Sequence, residues 1–349
     1  MQHDFSEVPV IDLAGELDRL GSQELGDRLA RVFHEVGFAV VTGHGVPTAT
    51  TESAFDAARR FFALPDEHKQ LVDKRRSRHF RGWEATGVER TNNRPDIREQ
   101  LDFWTEHPAR AVDVEPPYLR LLGPNQWPSD DVAPGFTAAV QAWIAAAAGV
   151  ADRMMGLLSL GLRLDEAHLR DAFGDECMSL CKVINYPPTP AGQFGVNAHH
   201  DAGFLTVLAT GGTPGLEVQN AAGEWIPVPI VDDGLVINLG EVFQKMTGNY
   251  FVATAHRVVT SQARRSIAYF HGPSLEMPLV ALPLEQRFVD AVAASPRHAD
   301  AGFMVQPDEI AAGAADMSSR HHPDRYGEQL WNYFRRSYPD NVCLHYGDT

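Results

Sequence analysis

The chain has 349 residues, 44% hydrophobic and 22% charged, which is enough to bury a large core as one or two globular domains. Its formal net charge of −16 argues against a general binder of nucleic acid or anionic membranes, because such partners require basic patches. Three cysteines cannot build a disulfide framework, and they suit a reducing compartment.

The N-terminus, which begins Met-Gln-His-Asp, lacks the basic and apolar regions of a signal peptide. No stretch reaches the roughly 18 consecutive apolar residues of a membrane span. We therefore expect a cytoplasmic protein with no membrane or nucleic-acid partner. The basic run Lys-Arg-Arg-Ser-Arg at residues 74–78 is interpreted as a solvated loop.

The N-terminal region predicts alternating strands and helices. Residues 8–13 and 38–41 are apolar and favour strands, and between them apolar residues recur at helical spacing over 25–36. His44 follows in a glycine-rich turn, where a histidine that bonds backbone atoms is favoured over a metal ligand. A further helix is predicted over 51–63.

The middle of the chain predicts a loop and then helices. Residues 75–108 lose periodicity and gain charge, Gly and Asn, so they predict a long loop with a strand near 100–104. Loops of this length in compact enzymes are usually lids or binding loops. An alanine-rich stretch at 134–164 predicts a long core helix, with Gly149 as a candidate break, and 167–173 predicts a short one.

The C-terminal half predicts mainly β-strands. Residues 178–270 are short apolar strands separated by Gly, Pro, Asn and Asp, with helical periodicity at 239–246. This pattern is typical of an all-β sandwich or barrel. The tail is predicted to be helical again from Met304, and 326–338 carries an aromatic face.

A candidate metal site lies in this β region. In an extended segment His199 and Asp201 project to the same side, so both can bind one metal ion. His256 lies in a β-branched stretch that predicts a neighbouring strand. Two imidazoles and one carboxylate on one face of the ion are the ligands of non-heme Fe(II) oxygenases. Alone, His-x-Asp is a weak signal, and a loop cap remains the alternative.

A candidate carboxylate site follows it. In a strand Arg264 and Ser266 share one face, and a guanidinium with a hydroxyl suits a terminal carboxylate. Arg265 could compete for this role, but alternation pairs Arg264 with Ser266. Upstream, a predicted strand ends at Tyr186, which offers a phenol.

These motifs occur in a recognisable order. They are Asn-Tyr-Pro-Pro at 185–188, His-x-Asp at 199–201, Gly-Leu-Glu-Val at 215–218, Trp-Ile-Pro-Val at 225–228, Asn-Leu-Gly-Glu at 238–241, His-Arg-Val at 256–258 and Arg-x-Ser at 264–266. The order resembles the 2-oxoglutarate/Fe(II)-dependent dioxygenases of the isopenicillin N synthase-like family, over roughly residues 5–275.

The resemblance implies a fold and a chemistry. The fold is mixed α/β (α+β), a distorted double-stranded β-helix or jelly roll with flanking helices. The cofactors are Fe(II), held by His199, Asp201 and His256, 2-oxoglutarate as co-substrate, and O2. The co-substrate residues are Arg264, Ser266, Tyr186 and, more weakly, Lys182.

In parts the sequence is similar to the ethylene-forming enzyme type. That likeness places substrate contacts at Trp83, Glu89 and Thr91, and another at Arg336 in the C-terminal helix. Ala202 is small where that type has an aromatic residue, which leaves room for a bulkier substrate and argues against ethylene formation. The alternative for Glu89 is a solvated loop charge.

We expect one compact unit with four regions: an N-terminal oxygenase region with the substrate loop at 1–110, helical support at 111–175, the jelly-roll core at 176–275 and a helical extension at 276–349. The expected function is a 2-oxoglutarate-dependent dioxygenase that hydroxylates, desaturates or cyclises a natural-product or amino-acid-derived small molecule, releasing succinate and CO2. The alternatives are an Fe(II) oxidase of the same fold that uses no 2-oxoglutarate, and a non-enzymatic ligand-binding β-sandwich. The pattern leaves the substrate's identity and the oligomeric state open.

Overall fold

The structure is a computed structural model that describes residues 4–91, 94–295 and 324–347. Its α-helices are α1 Leu13–Leu20, α2 Ser22–Glu35, α3 Thr48–Phe62, α4 Asp66–Lys69, α5 Phe136–Gly161, α6 His168–Phe173, α7 Glu241–Met246, α8 Gln286–Ala293, α9 Tyr326–Ser337 and α10 Pro339–Tyr346. Short 3-10 helices lie at Gln70–Val72, Lys74–Arg76 and Pro117–Leu121.

The strands are β1 Val10–Asp12, β2 Phe38–Thr42, β3 Gly82–Glu84, β4 Arg90–Thr91, β5 Arg94–Pro95, β6 Glu99–Trp104, β7 Leu180–Tyr186, β8 Val196–His199, β9 Leu205–Ala209, β10 Leu216–Gln219, β11 Trp225–Pro227, β12 Leu235–Leu239, β13 His256–Val258 and β14 Arg264–His271.

Two sheets form the core of the fold. An eight-stranded sheet has the order β1-β2-β12-β9-β14-β7-β6-β3, and a four-stranded sheet has the order β11-β10-β13-β8. Strands β1 and β2 pair in parallel, and the other pairs are antiparallel. The large sheet combines strands from the N-terminal region with strands from the C-terminal half, so the two regions share one structural unit.

Alternating side chains divide the core into two layers. Along β12, Val236 packs into a cluster with Tyr186, Val218 and Val258, which lies between the sheets. Its neighbour Ile237 belongs to the larger cluster on the opposite face. There α3 and α5 pack against β14, with further contacts of α5 to β9 and of α3 to β7. A cavity that opens between the sheets is therefore backed by rigid, helix-covered strands.

The jelly-roll fold class and most predicted elements are confirmed. The predicted break at Gly149 is wrong, because α5 runs unbroken through that glycine, which lies on the exposed face of the helix. Helices α1 and α8 were not predicted.

Helix α5 also corrects the expectation about apolar segments. Its 26 residues, with a mean hydropathy of 1.3 in an 18-residue window, are long and apolar enough to cross a membrane by length and composition. Such a helix is weak evidence for a span, since core helices pass the same test. In this protein 56% of that window is buried, against α2, α3 and the large sheet.

The interpretation of residues 74–78 as a solvated loop is wrong in part: residues 74–76 form a 3-10 helix, Ser77 is buried, and so is the Lys74 side chain. This side chain is 3% exposed, and its ammonium group pairs with Glu84 and, at 2.6 Å, with Asp102. The neighbouring Arg75 is exposed as expected. The contact with Asp102 provides a counter-charge that makes burial of the lysine possible, and Glu84 offers a second acceptor.

The C-terminal helix predicted at 326–338 is confirmed as α9, and its Trp331 and Phe334 are buried. The predicted start of the helical tail at Met304 lies outside the described residues. Helices α9 and α10 pack beside β3 and the 3-10 segment near residue 75: Tyr338 Oη donates to Glu84, and Asn341 Nδ2 donates to the Ser77 carbonyl.

Candidate metal and co-substrate site

The predicted metal ligands lie together at the edge of the small sheet. His256 opens β13 directly opposite His199, the last residue of β8, and Asp201 follows in the next turn. The Nε2 atoms of His199 and His256 lie 3.7 and 3.6 Å from Asp201 Oδ1. One ligand atom from each residue falls within 4.8 Å of the others, so a single ion can contact all of them.

Backbone carbonyls orient both imidazoles. His199 Nδ1 lies 2.9 Å from the Asn197 carbonyl oxygen, and His256 Nδ1 lies 3.1 Å from that of Thr254. A carbonyl can only accept, so each Nδ1 carries the proton and each Nε2 lone pair faces the site. Burial, followed by the charge of His199, lowers the pKa of His256 to about 4, which keeps that ring neutral.

Two neighbours fix the carboxylate. Asp201 Oδ2 accepts hydrogen bonds of 2.7 Å from Thr206 Oγ1 on β9 and from Asn238 Nδ2 on β12. Burial raises the pKa of Asp201, but the two histidines and the Thr206 hydroxyl outweigh this effect and lower it overall. The carboxylate is therefore ionised, and its Oδ1 atom faces the two histidines. Thr206 and Asn238 were not identified from the sequence.

The predicted carboxylate site lies in the same cavity, on the large sheet. Arg264 is 1% exposed and donates from Nε to the Thr213 carbonyl, whereas Nη1 and Nη2 have no hydrogen-bond partner among the described residues. Ser266 Oγ lies 3.4 Å from Tyr186 Oη, and both residues line the cavity with Arg264. A buried guanidinium with two free donors fits a carboxylate.

Arg265 faces the other way. Alternation along β14 places it on the outer surface of the sheet, where it lines a separate cleft of about 610 Å³ beside α3. The cleft does not include the metal ligands.

Arg98 is a cavity residue that sequence reasoning missed. It lines the cavity with the metal ligands, directly before β6, and is 8% exposed. Its Nη2 pairs with Glu89 at 3.0 Å and with Asp96 at 3.1 Å. The available signal was the alternation of polar residues at 98, 100 and 102 in a predicted strand, which indicates a polar inner face.

A buried chain of ion pairs leads away from the cavity. From Arg98 it passes to Glu89, then to Lys182 at 3.1 Å, Asp102 at 3.3 Å and Lys74. Lys74 in turn contacts Glu84, which accepts from Tyr338 at the end of α9. Burial lowers the pKa of Lys182, but Asp102 and Glu89 outweigh it and raise the pKa, so Lys182 stays charged.

The structure therefore places Lys182 in this ion-pair chain and not among the residues that line the cavity with Arg264. Glu89 also belongs to the ion-pair chain, and its side chain is only 13% exposed. This contradicts its interpretation as a solvated loop charge.

The other predicted substrate residues lie in different parts of the structure. Trp83 donates from Nε1 to Glu99, and Thr91 donates to Asp96, the partner of Arg98. The Ala202 carbonyl accepts from Gln329 on α9 at 2.8 Å, so the C-terminal helix touches the turn beside the metal ligands. Arg336 lies on the exposed side of α9, outside the residues that line the cavity.

Both implied groups fit these residues. A divalent iron prefers imidazole nitrogens and an ionised carboxylate with open positions. The hydrogen bonds to the Asn197 and Thr254 carbonyls turn each Nε2 toward the site, and Thr206 and Asn238 hold the carboxylate. A dicarboxylate with a terminal group near Arg264 would supply the partner that its two unpartnered nitrogens lack.

Comparisons with known proteins agree with this geometry. Residues 8–130 match the family described as "non-haem dioxygenase in morphine synthesis N-terminal", and residues 174–273 match the 2OG-Fe(II) oxygenase superfamily. A 2-oxoglutarate-dependent dioxygenase of Gibberella zeae is 31% identical over 330 residues, covering 90% of this chain and 84% of the relative.

Two further likenesses are informative. A homoarginine-6-hydroxylase of Glycine max is 28% identical, covering 78% of this chain and 87% of the relative. The crystal structure of a full-length Neurospora crassa protein in complex with alpha-KG and thymine matches with a TM-score of 0.71 at 21% identity, covering 95% of this chain and 97% of that chain. At that identity the likeness concerns the fold.

Proposed function

The chain belongs to the 2-oxoglutarate-Fe(II) oxygenase superfamily, and within it we propose that the substrate is a small, amino-acid-derived molecule that carries a positive charge. The family activity is the Fe(II)- and 2-oxoglutarate-dependent oxidation of a small molecule. The proposal adds the chemical class of that molecule, and the charge balance of the buried side chains beside the cavity supports it.

The buried ion-pair chain contains four carboxyl groups and three cations. Its cations are Arg98, Lys182 and Lys74, and its carboxylates are Glu89, Asp96, Asp102 and Glu84. An unpaired buried charge is costly, so the fourth carboxyl group either keeps its proton or is matched by a further cation. A cationic group of the substrate can supply that cation.

The charges in the metal half of the cavity balance without a contribution from the substrate. Bound Fe(II) carries two positive charges and Arg264 one, which together match Asp201 and the two carboxylates of 2-oxoglutarate. The substrate's cation is therefore not required there, and its place is beside the ion-pair chain. The name of the Glycine max relative, which specifies a basic amino acid as substrate, agrees with this class.

The residues have distinct proposed roles. His199, Asp201 and His256 would hold Fe(II), while Arg264, Ser266 and Tyr186 would bind the far carboxylate of 2-oxoglutarate. When bound, the metal and co-substrate supply the oxidising chemistry that breaks a substrate C–H bond. Apolar residues between the sheets, among them Leu208 and Val258, exclude water from the reacting groups.

An Fe(II) oxidase of the same fold that uses no 2-oxoglutarate is the weaker alternative. Such an enzyme has no co-substrate carboxylate for the two unpartnered nitrogens of Arg264. A buried guanidinium without an anion would remain as an uncompensated cost.

A substrate screen tests the proposal. The protein with Fe(II), 2-oxoglutarate and O2 is incubated with L-arginine, L-homoarginine or L-lysine. It is also incubated with L-citrulline and L-norleucine, which are analogues with uncharged side chains. Succinate release and product mass are measured together. We expect product with a basic member and none with the uncharged analogues. Turnover of an analogue with an uncharged side chain in preference to every basic amino acid would contradict the proposed class.

A further inference from the structure

The inner face of β6 carries a row of polar side chains that begins at the metal cavity. Arg98, Gln100 and Asp102 alternate along this face and are 8%, 1% and 4% exposed. Each has one buried polar atom without a hydrogen-bond partner in the described part of the chain: Nε of Arg98, Oε1 of Gln100 and Oδ1 of Asp102. Buried polar groups ordinarily have partners, so this succession requires an explanation.

The same criterion finds the co-substrate site. The unpartnered nitrogens of Arg264 lie where we propose that 2-oxoglutarate binds, and Arg264 lines the same cavity as Arg98. Other unpartnered buried atoms, such as Trp143 Nε1, are scattered through the core. Trp104 Nε1, at the next position on this face of β6, is also unpartnered, but its ring packs against Phe334 of α9 in the apolar core. The three atoms at positions 98, 100 and 102 instead follow one another from the cavity along the ion-pair chain.

The rest of each side chain is already held. Arg98 Nη2 is bound by Glu89 and Asp96. Gln100 Nε2 donates to Glu84 at 2.9 Å, which leaves its oxygen as the free acceptor. Asp102 Oδ2 accepts from Lys74 and Lys182 at 2.6 and 3.3 Å, which leaves Oδ1. The free atoms are thus one donor at the cavity and two acceptors further along the strand.

We propose that this face of β6 recognises the primary substrate, with Arg98 Nε binding a carboxylate oxygen and with Gln100 and Asp102 binding the N–H groups of its cationic end. This rests on the proposed function and adds an orientation to it. Arg98 lines the cavity with the metal ligands, so the carboxylate end lies toward the metal.

The spacing of the three residues limits the size of the ligand. Residues 98 and 102 are four positions apart, or about 13 Å between Cα atoms at a rise of ~3.3 Å per residue. After the side chains reach inward, the two charged ends of the ligand must still be separated by several bonds. A basic amino acid with a long side chain meets this requirement. A compound whose carboxylate and cationic group are separated by only one or two bonds does not.

Binding to the anaerobic protein loaded with Fe(II) and 2-oxoglutarate tests the orientation without turnover. Calorimetry measures the Kd of L-homoarginine and of its decarboxylated analogue for the wild type, Arg98→Lys and Asp102→Asn. Arg98→Lys keeps a cation for Glu89 and Asp96 but removes the second donor. We expect it to weaken L-homoarginine about tenfold or more and to leave the decarboxylated analogue within about threefold, whereas Asp102→Asn weakens both by about tenfold or more.

Glu99→Gln is the matched control, since Glu99 lies on the outer face of the same strand and pairs with Lys69. It is expected to change neither Kd by more than about threefold. The Fe(II)–2-oxoglutarate absorption band and the melting temperature report whether each variant is folded and loaded. Gln100→Met, which removes the neighbouring acceptor, serves if Asp102→Asn fails to fold, and it is expected to behave like Asp102→Asn.

The outcomes separate this inference from the proposed function. If L-homoarginine binds the wild type but none of the β6 variants changes its Kd, ordered water satisfies the three atoms and the orientation is wrong, while the substrate class stands. If Arg98→Lys weakens 2-oxoglutarate and not the amino acid, Arg98 belongs to the co-substrate site and the inference is overturned. If no long basic amino acid binds the wild type, both proposals fail.

Discussion

Arg264 lies directly opposite Tyr186 in the register of β14 and β7, and its guanidinium carbon stands 5.0 Å from the centre of the tyrosine ring. The pairing fixes the arginine over an aromatic face and leaves both terminal nitrogens without a partner among the residues described. Arg265, opposite Asn185, faces the outer side of the sheet. Two adjacent arginines are thus assigned to different surfaces by strand alternation alone.

The first prediction compares these arginines. Arg264→Ala is expected to weaken 2-oxoglutarate binding by roughly 2–5 kcal/mol, because it removes a buried charged pair. Arg265→Ala is the matched control, with an expected effect below about 1 kcal/mol. Anaerobic titration of the Fe(II)–2-oxoglutarate absorption band measures both affinities. The reverse order would show that Arg265 holds the carboxylate.

The second prediction concerns the metal ligands. His199→Ala, Asp201→Ala and His256→Ala are each expected to abolish turnover and to lower bound Fe(II) well below one per chain, because each removes a ligand from the same face of the ion. His200→Ala is the control, since this half-exposed histidine lies between two ligands in sequence and points away from them. Iron analysis after gel filtration gives the stoichiometry. Wild-type iron content in the three ligand variants would contradict the assignment.

The third prediction concerns the residues that hold Asp201. Asn238→Ala and Thr206→Val each remove one hydrogen bond to Oδ2. Each is expected to lower Fe(II) affinity about 10- to 100-fold while leaving the ligands in place, as loss of outer-shell hydrogen bonds usually does. Competition with a fluorescent chelator measures the affinity. Unchanged affinity in both variants would mean that the metal alone orients the carboxylate.

Much of the site could be predicted because its signals are local. His199 and Asp201 are two residues apart, as are Arg264 and Ser266, and strand alternation is enough to put each pair on one face. The succession of short apolar segments between residues 178 and 270 is likewise a local pattern that predicts strands. The structure confirms the fold from these patterns and brings the predicted ligands together.

The unpredicted part depends on partners distant in sequence. Lys74 and Glu89 look like solvated charges until Asp102 and Lys182 are brought beside them by the pairing of β6 with β7. Arg98 was overlooked for the same reason. Local sequence shows that such residues are charged, but burial is decided by counter-charges from other strands.

The fourth prediction uses the excess carboxylate of the ion-pair chain. Burial first, and then the charges of Glu89 and Asp102, raise the pKa of Glu84 from 4.5, although Lys74 and Lys182 oppose this. Lys74, Gln100, Asp102 and Tyr338 face its carboxyl group directly. Because the folded state holds this proton more tightly, the contribution of Glu84 to stability is full below pH 4.5 and falls as pH rises above it.

Glu84→Gln removes this pH dependence. The variant is expected to gain unfolding free energy relative to the wild type as pH rises from 4.5 toward neutrality, and to match it at lower pH. Urea unfolding across this pH range measures the difference. Glu67→Gln, at an exposed glutamate of α4, is the control and should give a flat difference. A wild-type advantage that grows with pH would show that Glu84 is ionised in the folded protein.

The last prediction separates Lys182 from the co-substrate site. Its ammonium group lies 3.1 Å from Glu89 and 3.3 Å from Asp102, and its side chain is 10% exposed. Lys182→Met leaves two buried carboxylates with one cation fewer, so unfolding free energy should fall by roughly 3–5 kcal/mol. The Kd of 2-oxoglutarate should stay within about threefold, because the Arg264 side of the cavity keeps all its donors. A loss of 2-oxoglutarate affinity as large as that of Arg264→Ala, in a variant of unchanged stability, would return Lys182 to the co-substrate role that the resemblance implied.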